Sequence, residues 1–200
     1  MLLWALLLQA GLVYSQSTLL SLSATYGVVS IESPGISIDK RSTGIQAGLE
    51  YRFRKRFSFG AELDWQSIGT YPETASPVSP ASSKPAVTYQ VKTNELNGRI
   101  LARYYIKKSL KGFYVGVFGN FVFQLTTTDG YPEDGAYPER NSDFSDHIYR
   151  GGGLTYGYRF QFNTHLGGHV FLSHYRIWNN NNPDFRRTNH RAGLGLQYVF

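Results

Sequence analysis

Charged residues stand on alternate positions in several segments whose other residues are apolar. Glu62 and Asp64 have the i, i+2 spacing that places two side chains on one face of a strand. Two such carboxylates could serve general acid–base chemistry, or accept bidentate hydrogen bonds from arginine. Four acids and five arginines share the alternating pattern: Glu50, Arg52, Glu62, Asp64, Glu95, Arg99, Arg103, Arg159 and Arg191.

Few other residues are of types that could take part in catalysis or metal binding. The absence of cysteine excludes disulfides, thiol catalysis and zinc–thiolate sites. The tripeptide YPE occurs at 71–73, 131–133 and 137–139, and four acids could bind calcium beside the last two copies: Asp129, Asp134, Asp143 and Asp146. Their spacing fits no EF-hand, so we predict a solvated acidic loop, no metal site and no cofactor. The net charge of +6 does not indicate a nucleic-acid partner, because no basic stripe lies beside stacking aromatics.

Alternation of apolar and polar residues with a period of two recurs eight times and predicts eight β-strands. The predicted strands are Leu20–Val28, Ile45–Phe53, Phe57–Gln66, Glu95–Ile106, Phe113–Gln124, Ile148–Phe160, Leu166–Tyr175 and Ala192–Phe200. Short connections (RKR, KKSLK and QFNT) alternate with long ones at Glu32–Gly44, Ser67–Val87, Thr126–His147 and Ile177–Asn189. This asymmetry predicts an antiparallel up-and-down barrel with two unlike ends, either soluble and lipocalin-like or embedded in a membrane.

Aromatic residues favour the membrane alternative. They fall into two bands on the apolar face, one near the short turns and one near the long loops, as interfacial girdles do. The first band comprises Tyr51, Phe53, Phe57, Phe59, Tyr104, Phe113, Tyr158, Phe160, Tyr198 and Phe200, and the second Tyr26, Trp65, Phe121 and Phe123. The predicted fold class is therefore all-β, an eight-stranded antiparallel up-and-down transmembrane β-barrel.

The N-terminal segment MLLWALLLQAGLVYS reads as a leader. It has an apolar run from Leu2 to Leu8, and Val13 and Ser15 suit the −3 and −1 positions of a signal-peptidase site. We predict a signal peptide at residues 1–15 and a barrel domain at 16–200. A buried first helix is the alternative.

The strands, the leader and the terminal Tyr198 and Phe200 resemble the small outer-membrane β-barrels of Gram-negative bacteria, the OmpA/OmpX/OmpW-like class. The segment NGRILARYYIKKSLKGFYVGVFGNF (97–121) is similar to the middle of an uncharacterised barrel family of Bacteroidota. The resemblance implies an integral outer-membrane protein with both termini in the periplasm. It implies as partners outer-membrane lipid, lipopolysaccharide, the barrel-assembly machinery and, as an open alternative, a larger outer-membrane complex.

The interior of an eight-stranded barrel is too narrow for a water channel, so inward charges must be paired and hydrogen-bonded. We predict that the nine charged residues form one connected luminal network, with Glu62 and Glu95 each within about 6 Å of an arginine. A gated ion path and a small-ligand site among the same groups are the alternatives. With no nucleophile beside the carboxylates, we predict no catalytic residue.

The segment SHYRIWNNNNPDF (173–185) is similar to the HYSNAG-like motif of outer-membrane lipid A deacylases of the PagL type. His174 and Tyr175 match that motif, but Arg176 replaces the nucleophilic serine and Ile177 the asparagine. Ser173 would face the other side of the strand, whereas a Ser–His pair needs both side chains on one face. We therefore interpret His174 as an interfacial residue.

Basic residues near the long loops are predicted to contact lipopolysaccharide phosphates: Lys40, Arg41, Arg150, Arg176, Arg186 and Arg187. Tyr198 and Phe200, at the end of the last strand, are predicted to be the signal for barrel assembly. The sequence thus predicts a non-enzymatic outer-membrane barrel whose surface loops have a structural, adhesive or accessory role. A lipid A-modifying enzyme and a narrow pore are the alternatives.

Overall fold

The structure is a computed structural model that describes residues 18–33, 36–75, 85–107, 110–129, 148–179 and 182–200. The predicted signal peptide lies outside these ranges. The described residues form eight strands: β1 (Thr18–Ser33), β2 (Ile36–Arg54), β3 (Phe57–Ala75), β4 (Val87–Tyr105), β5 (Gly112–Asp129), β6 (Ile148–Gln161), β7 (Leu166–Asn179) and β8 (Asn182–Val199).

Each strand pairs antiparallel with the next one, and β8 pairs with β1, so the sheet closes into a barrel. The closing seam runs from the Leu19–Val199 pair to the Glu32–Arg186 pair. This arrangement confirms the predicted eight-stranded antiparallel barrel. Within the described ranges, no helix has the length and apolar character needed to cross a membrane.

Solvent exposure distinguishes the two faces of the wall. Outward aliphatic side chains are largely exposed, with values of 59% for Leu22, 61% for Leu63 and 67% for Ile100. Inward charged side chains are buried, with 2% for Glu50 and 3% for Arg99. A soluble lipocalin-like barrel would have the reverse arrangement, whereas a barrel in lipid presents its apolar face outward. The alternation therefore matches a transmembrane barrel.

Both aromatic bands project from the outer surface. The band at the short-turn end includes tilted or stacked pairs such as Phe57–Tyr104, with ring centroids 5.1 Å apart, and Phe53–Phe59, at 4.6 Å. At the opposite end, Tyr26 and Trp65 are 52% and 45% exposed. Amphipathic rings at these two heights suit the two membrane–water interfaces.

The strands extend further into the predicted long loops than expected. Most of the predicted Glu32–Gly44 connection belongs to β1 and β2, because β2 already begins at Ile36. The predicted Ile177–Asn189 connection is likewise mostly β7 and β8. These segments are rich in Ser, Asn and Asp, which favour turns locally, but ladder hydrogen bonds to the neighbouring strand override that preference.

A glycine lies at an irregularity in the pairing of β3 with β4. The β3–β4 register shifts between Ser67 and Thr70, and Gly69 within the shift has φ = 63°. Glycine adopts this left-handed conformation at little cost, so the bulge is encoded by that residue.

Glycines on the inner wall make room for large interior rings. A Cβ at Gly193 would collide with the ring of Phe171, and a Cβ at Gly157 would lie 2.7 Å from the Tyr114 hydroxyl. The rings that occupy this space belong to a buried cluster: Leu19, Tyr105, Leu110, Tyr114 and Phe171. The barrel interior is therefore packed with side chains and contains both apolar and charged layers.

Candidate functional site

Seven of the nine charged residues predicted to face the lumen are connected by ion pairs. They are Glu50, Glu62, Asp64, Arg99, Arg103, Arg159 and Arg191, and we call them the luminal network. They project inward from β2, β3, β4, β6 and β8. The network is distributed across the barrel because a narrow lumen brings side chains from non-adjacent strands into contact.

Glu50 is the centre of the network at the short-turn end. Its carboxylate pairs with Arg103, and Arg159 Nη2 donates to Oε2 over 2.6 Å. The hydroxyls of Ser58 and Tyr105 both donate to Oε1, each over 2.5 Å. Four donors from four residues satisfy this buried carboxylate, as the cost of desolvating a charge requires.

From Glu50 the network continues towards the other end of the barrel. Arg103 Nη2 also donates to Glu62 Oε1 over 2.5 Å, and Arg99 Nη1 lies 3.9 Å from Glu62 Oε2. Arg99 Nη2 then lies 3.4 Å from Asp64 Oδ2. Arg191 binds Asp64 through both terminal nitrogens, with Nη2 to Oδ1 at 2.9 Å.

Among the described residues, no ion pair links Glu95 to the luminal network. Glu95 forms a separate bidentate pair with Arg187. Arg52 is half-buried and lines a depression at the short-turn end with Leu110 and Lys111.

Arg187 is a correction to the sequence interpretation. It was predicted at the outer rim, but it is 3% exposed and faces Glu95 in the lumen. The reason is that β8 extends through Arg187, which keeps the inward parity of Asn189 and Arg191. If the last strand had been predicted to begin before Arg187, the alternation would have placed this residue in the lumen.

Aromatic rings and hydroxyls around the arginines were not anticipated. The guanidinium of Arg99 lies over Phe118 and Tyr175, with 4.9 and 4.8 Å to the centroids. That of Arg103 lies 5.0 Å above Tyr114. Such cation–π contacts stabilise buried guanidinium groups. These rings stand at inward positions of the alternating pattern, so their orientation could have been predicted from the sequence.

Burial limits the chemistry of the lumen. Glu62 and Asp64, the acid pair suggested by spacing, are 6% and 0% exposed and are bound by arginines. A further pair resembles a nucleophile and its base, because Ser23 Oγ lies 2.8 Å from His169 Nε2. Both of these side chains are only 3% exposed, so neither is presented to a substrate in solution. The arrangement favours structural packing over catalysis.

The β7 wall separates the elements of the deacylase-like motif. Ser173 is buried at 4% exposure on the inner face, whereas His174 is exposed on the outer face. Tyr175 points inward and donates to Gln66 Oε1 over 3.3 Å. Outward positions around His174 hold Leu172, Leu154, Arg176 and His190, none of which is a serine. A Ser–His pair is therefore not formed at His174.

The residues predicted to contact lipopolysaccharide have different environments. Arg41, Arg150 and Arg176 are exposed, and Lys40 is half-buried. The side chain of Arg186 lies outside the described residues, as do the second and third YPE tripeptides and the acids at 134, 143 and 146. Among the described residues, no group of three or more His, Asp or Glu could hold a metal ion.

The predicted assembly signal lies on the outer surface at the short-turn end. Tyr198 and Phe200 are each 43% exposed, and their rings meet edge to face with centroids 5.1 Å apart. The Phe200 amide donates to the Thr18 carbonyl over 3.0 Å, which extends the β1–β8 seam to the last residue.

Comparison with solved structures supports the fold. The chain is similar to Ail, the attachment invasion locus protein of Yersinia pestis, in complex with the heparin analogue sucrose octasulfate. That match has a TM-score of 0.56 and 13% identity, and it covers 90% of this chain and 99% of Ail. Neisserial surface protein A matches with a TM-score of 0.49, 14% identity and coverage of 90% and 97%. The outer-membrane protease OmpT of Escherichia coli matches with a TM-score of 0.40, 11% identity and coverage of 93% and 97%.

The match to Ail and the closed eight-stranded sheet show the fold of the small outer-membrane β-barrels. No protein-family model matches the chain, and no curated protein matches it in sequence. Folds of this kind do not determine an activity, so function must be argued from the residues.

Proposed function

We propose that the protein is a non-enzymatic integral outer-membrane barrel that presents the connections opposite its short turns, together with the adjoining strand ends, at the cell surface, in a structural, adhesive or accessory role. Both termini lie in the periplasm, at the end with the short turns. Outer-membrane barrels usually have short periplasmic turns and longer outer loops, which supports this orientation.

The observation that carries the proposal is the packed lumen. Buried ion pairs extend from Glu50 to Asp64, and Glu95 with Arg187 continues the packing towards the loop end. The described side chains of these pairs are almost fully buried, which argues against a pore and against acid–base chemistry at these groups. Interactions with other molecules are then left to the loops and the outer wall.

Orientation can be tested with an epitope tag. A tag inserted within residues 76–84, between β3 and β4, should bind antibody on intact cells. The same tag inserted between Lys55 and Arg56, in the turn between β2 and β3, should bind antibody only after the outer membrane is permeabilised. Labelling of the Lys55 tag on intact cells, with the 76–84 tag protected, would reverse the proposed orientation.

Absence of activity is the second expected result. Purified protein should leave the acyl chains of lipid A intact by mass spectrometry and should give no conductance steps in planar bilayers. Deacylation that disappears in His174→Ala would instead establish an enzyme on the outer wall. Regular conductance steps altered by Arg103→Ala would establish a pore. If neither is seen, a pull-down from native outer membrane can identify a partner of the loops.

A further inference from the structure

The outer wall carries four exposed nitrogen-bearing side chains near its loop end. Arg150 on β6, His174 and Arg176 on β7, and His190 on β8 all project outward, and we call them the cationic patch. Neither guanidinium has a hydrogen-bond or ion-pair partner among the described residues, and the two imidazoles bond only to each other there. The patch therefore offers several donors that the described chain does not satisfy.

Strand register brings these side chains together. His174 lies directly opposite His190, with their Nδ1 atoms 3.0 Å apart and their ring centroids 4.4 Å apart. Arg176 is the next outward residue on β7, and Arg150 pairs with Trp178, the outward residue after it. The patch spans three adjacent strands, a width of about 10 Å.

An apolar groove of about 920 Å³ lies beside the patch, on its short-turn side. Ala24 and Ala192 supply small outward side chains along the groove, and larger side chains line the rest, among them Tyr26, Val115, Tyr156, Val170 and Leu172. The groove crosses β1, β8, β7, β6 and β5, which corresponds to about 19 Å at the usual strand spacing. Ala192 and Leu172 are each two residues from a patch histidine, so the groove begins about 7 Å from the imidazoles.

Because the patch lies beside the groove, a ligand that binds both must have an anionic group and a hydrocarbon chain. Arg150 and Arg176 have no counter-charge among the described residues and can therefore bind an anion, and a long apolar groove favours hydrocarbon. We propose that the patch and the groove together bind one phosphorylated glycolipid of the outer leaflet, the lipid A part of lipopolysaccharide. A phosphate is held by the patch, and an acyl chain lies in the groove. This site rests on the proposed orientation, which places the patch in the outer leaflet.

Two other occupants fit less well. Imidazole nitrogens 3.0 Å apart could both ligate Zn²⁺, but the described residues supply no third His, Asp or Glu at this place. A second barrel docked on the apolar groove would leave both guanidiniums unpaired. A phosphorylated lipid satisfies the patch and the groove at once, because Arg forms charge-assisted bonds with phosphate oxygens and the imidazoles can donate ring N–H groups to them.

The test compares lipids that differ only in phosphate. Wild-type protein is folded in phosphatidylcholine vesicles with bisphosphorylated lipid A or with lipid A stripped of both phosphates. The lipid retained after mild detergent extraction is counted by native mass spectrometry. We expect about tenfold greater retention of the phosphorylated form, which corresponds to about 1.4 kcal/mol.

Substitutions in the patch and the groove test whether the retained lipid A is bound at this site. Arg176→Gln and the double variant His174→Gln/His190→Gln should each lower retention of phosphorylated lipid A about threefold, so that together they account for the tenfold preference. Ala192→Phe, which fills the groove, should lower the retention of both lipids. The matched control is Lys92→Gln, which removes an exposed outward cation on β4 and should retain lipid A as the wild type does. Heat-modifiable migration in gels verifies that each variant is folded.

Several outcomes would overturn the site. They are equal retention of the two lipids, an equal loss in Lys92→Gln, or a second copy of the chain retained in place of lipid. Inorganic phosphate that binds alone as tightly as lipid A would remove the role of the groove, and so would Zn²⁺ binding by the histidines without any lipid preference. Lack of lipid A retention alongside surface labelling of the tag at 76–84 would reject the site and leave the proposed function standing.

Discussion

Glu50→Ala is expected to lower the free energy of unfolding by about 3–5 kcal/mol, the range for breaking a buried ion pair by removing one partner. The Glu50 carboxylate accepts from Arg103, Arg159, Ser58 and Tyr105. After the substitution, Arg103 retains Glu62, but Arg159 has no remaining ion-pair partner among the described residues. A guanidinium that is 1% exposed and lacks a counter-charge accounts for most of the expected loss.

Urea unfolding in lipid vesicles, followed by tryptophan fluorescence, measures the change. Glu50→Gln should be intermediate, because the amide oxygen can still accept from Ser58 and Tyr105 while the charge is lost. The control Arg41→Ala removes an exposed charge from the same strand and should stay within about 0.5 kcal/mol of wild type. A value for Glu50→Ala within that same range would contradict the assignment of Glu50 as the centre of the luminal network.

The strands and their faces could be predicted because an alternating period of two is a local signal. Along β4, Glu95, Arg99 and Arg103 face the lumen while Leu96 and Ile100 face outward, as the pattern predicted. The strand ends at the loop side could not be predicted in the same way. There Ser, Asn and Pro dominate the composition, and only pairing with the neighbouring strand keeps the backbone extended.

The partners of each luminal ion pair could not be predicted from the sequence, because they depend on the stagger of the strands in the closed sheet. Alternation indicates that Glu50 and Arg159 point inward, but not that β6 brings Arg159 to Glu50 across the barrel over 2.6 Å. The separate Glu95–Arg187 pair has the same cause. The patch histidines also went unrecognised as a pair, because the β7–β8 register that aligns His174 with His190 is fixed by the ends of both strands.

Deletion of Phe200 is expected to remove most of the folded protein from the outer membrane. Its amide closes the β1–β8 seam on the Thr18 carbonyl, and its ring packs against Tyr198 at the interface. Closure matters because an unpaired strand edge in lipid leaves backbone groups without hydrogen bonds. Outward residues of β8 end in the row Leu194, Leu196, Tyr198 and Phe200, so the deletion also shortens the surface that we propose the assembly machinery binds.

Phe200→Asp should have the same effect, since a carboxylate at the girdle position opposes insertion. Heat-modifiable protein in isolated outer membranes, measured by gel mobility and immunoblotting, gives the folded amount. The matched control is Phe162→Ser, which removes a 61% exposed ring from the turn between β6 and β7 and leaves the last strand intact. If the two losses are equal, assembly requires both girdle aromatics to the same extent, and Phe200 has no special role. If the Phe200 deletion assembles normally, the β1–β8 seam closes without its last residue, and the C-terminal ring is dispensable for assembly.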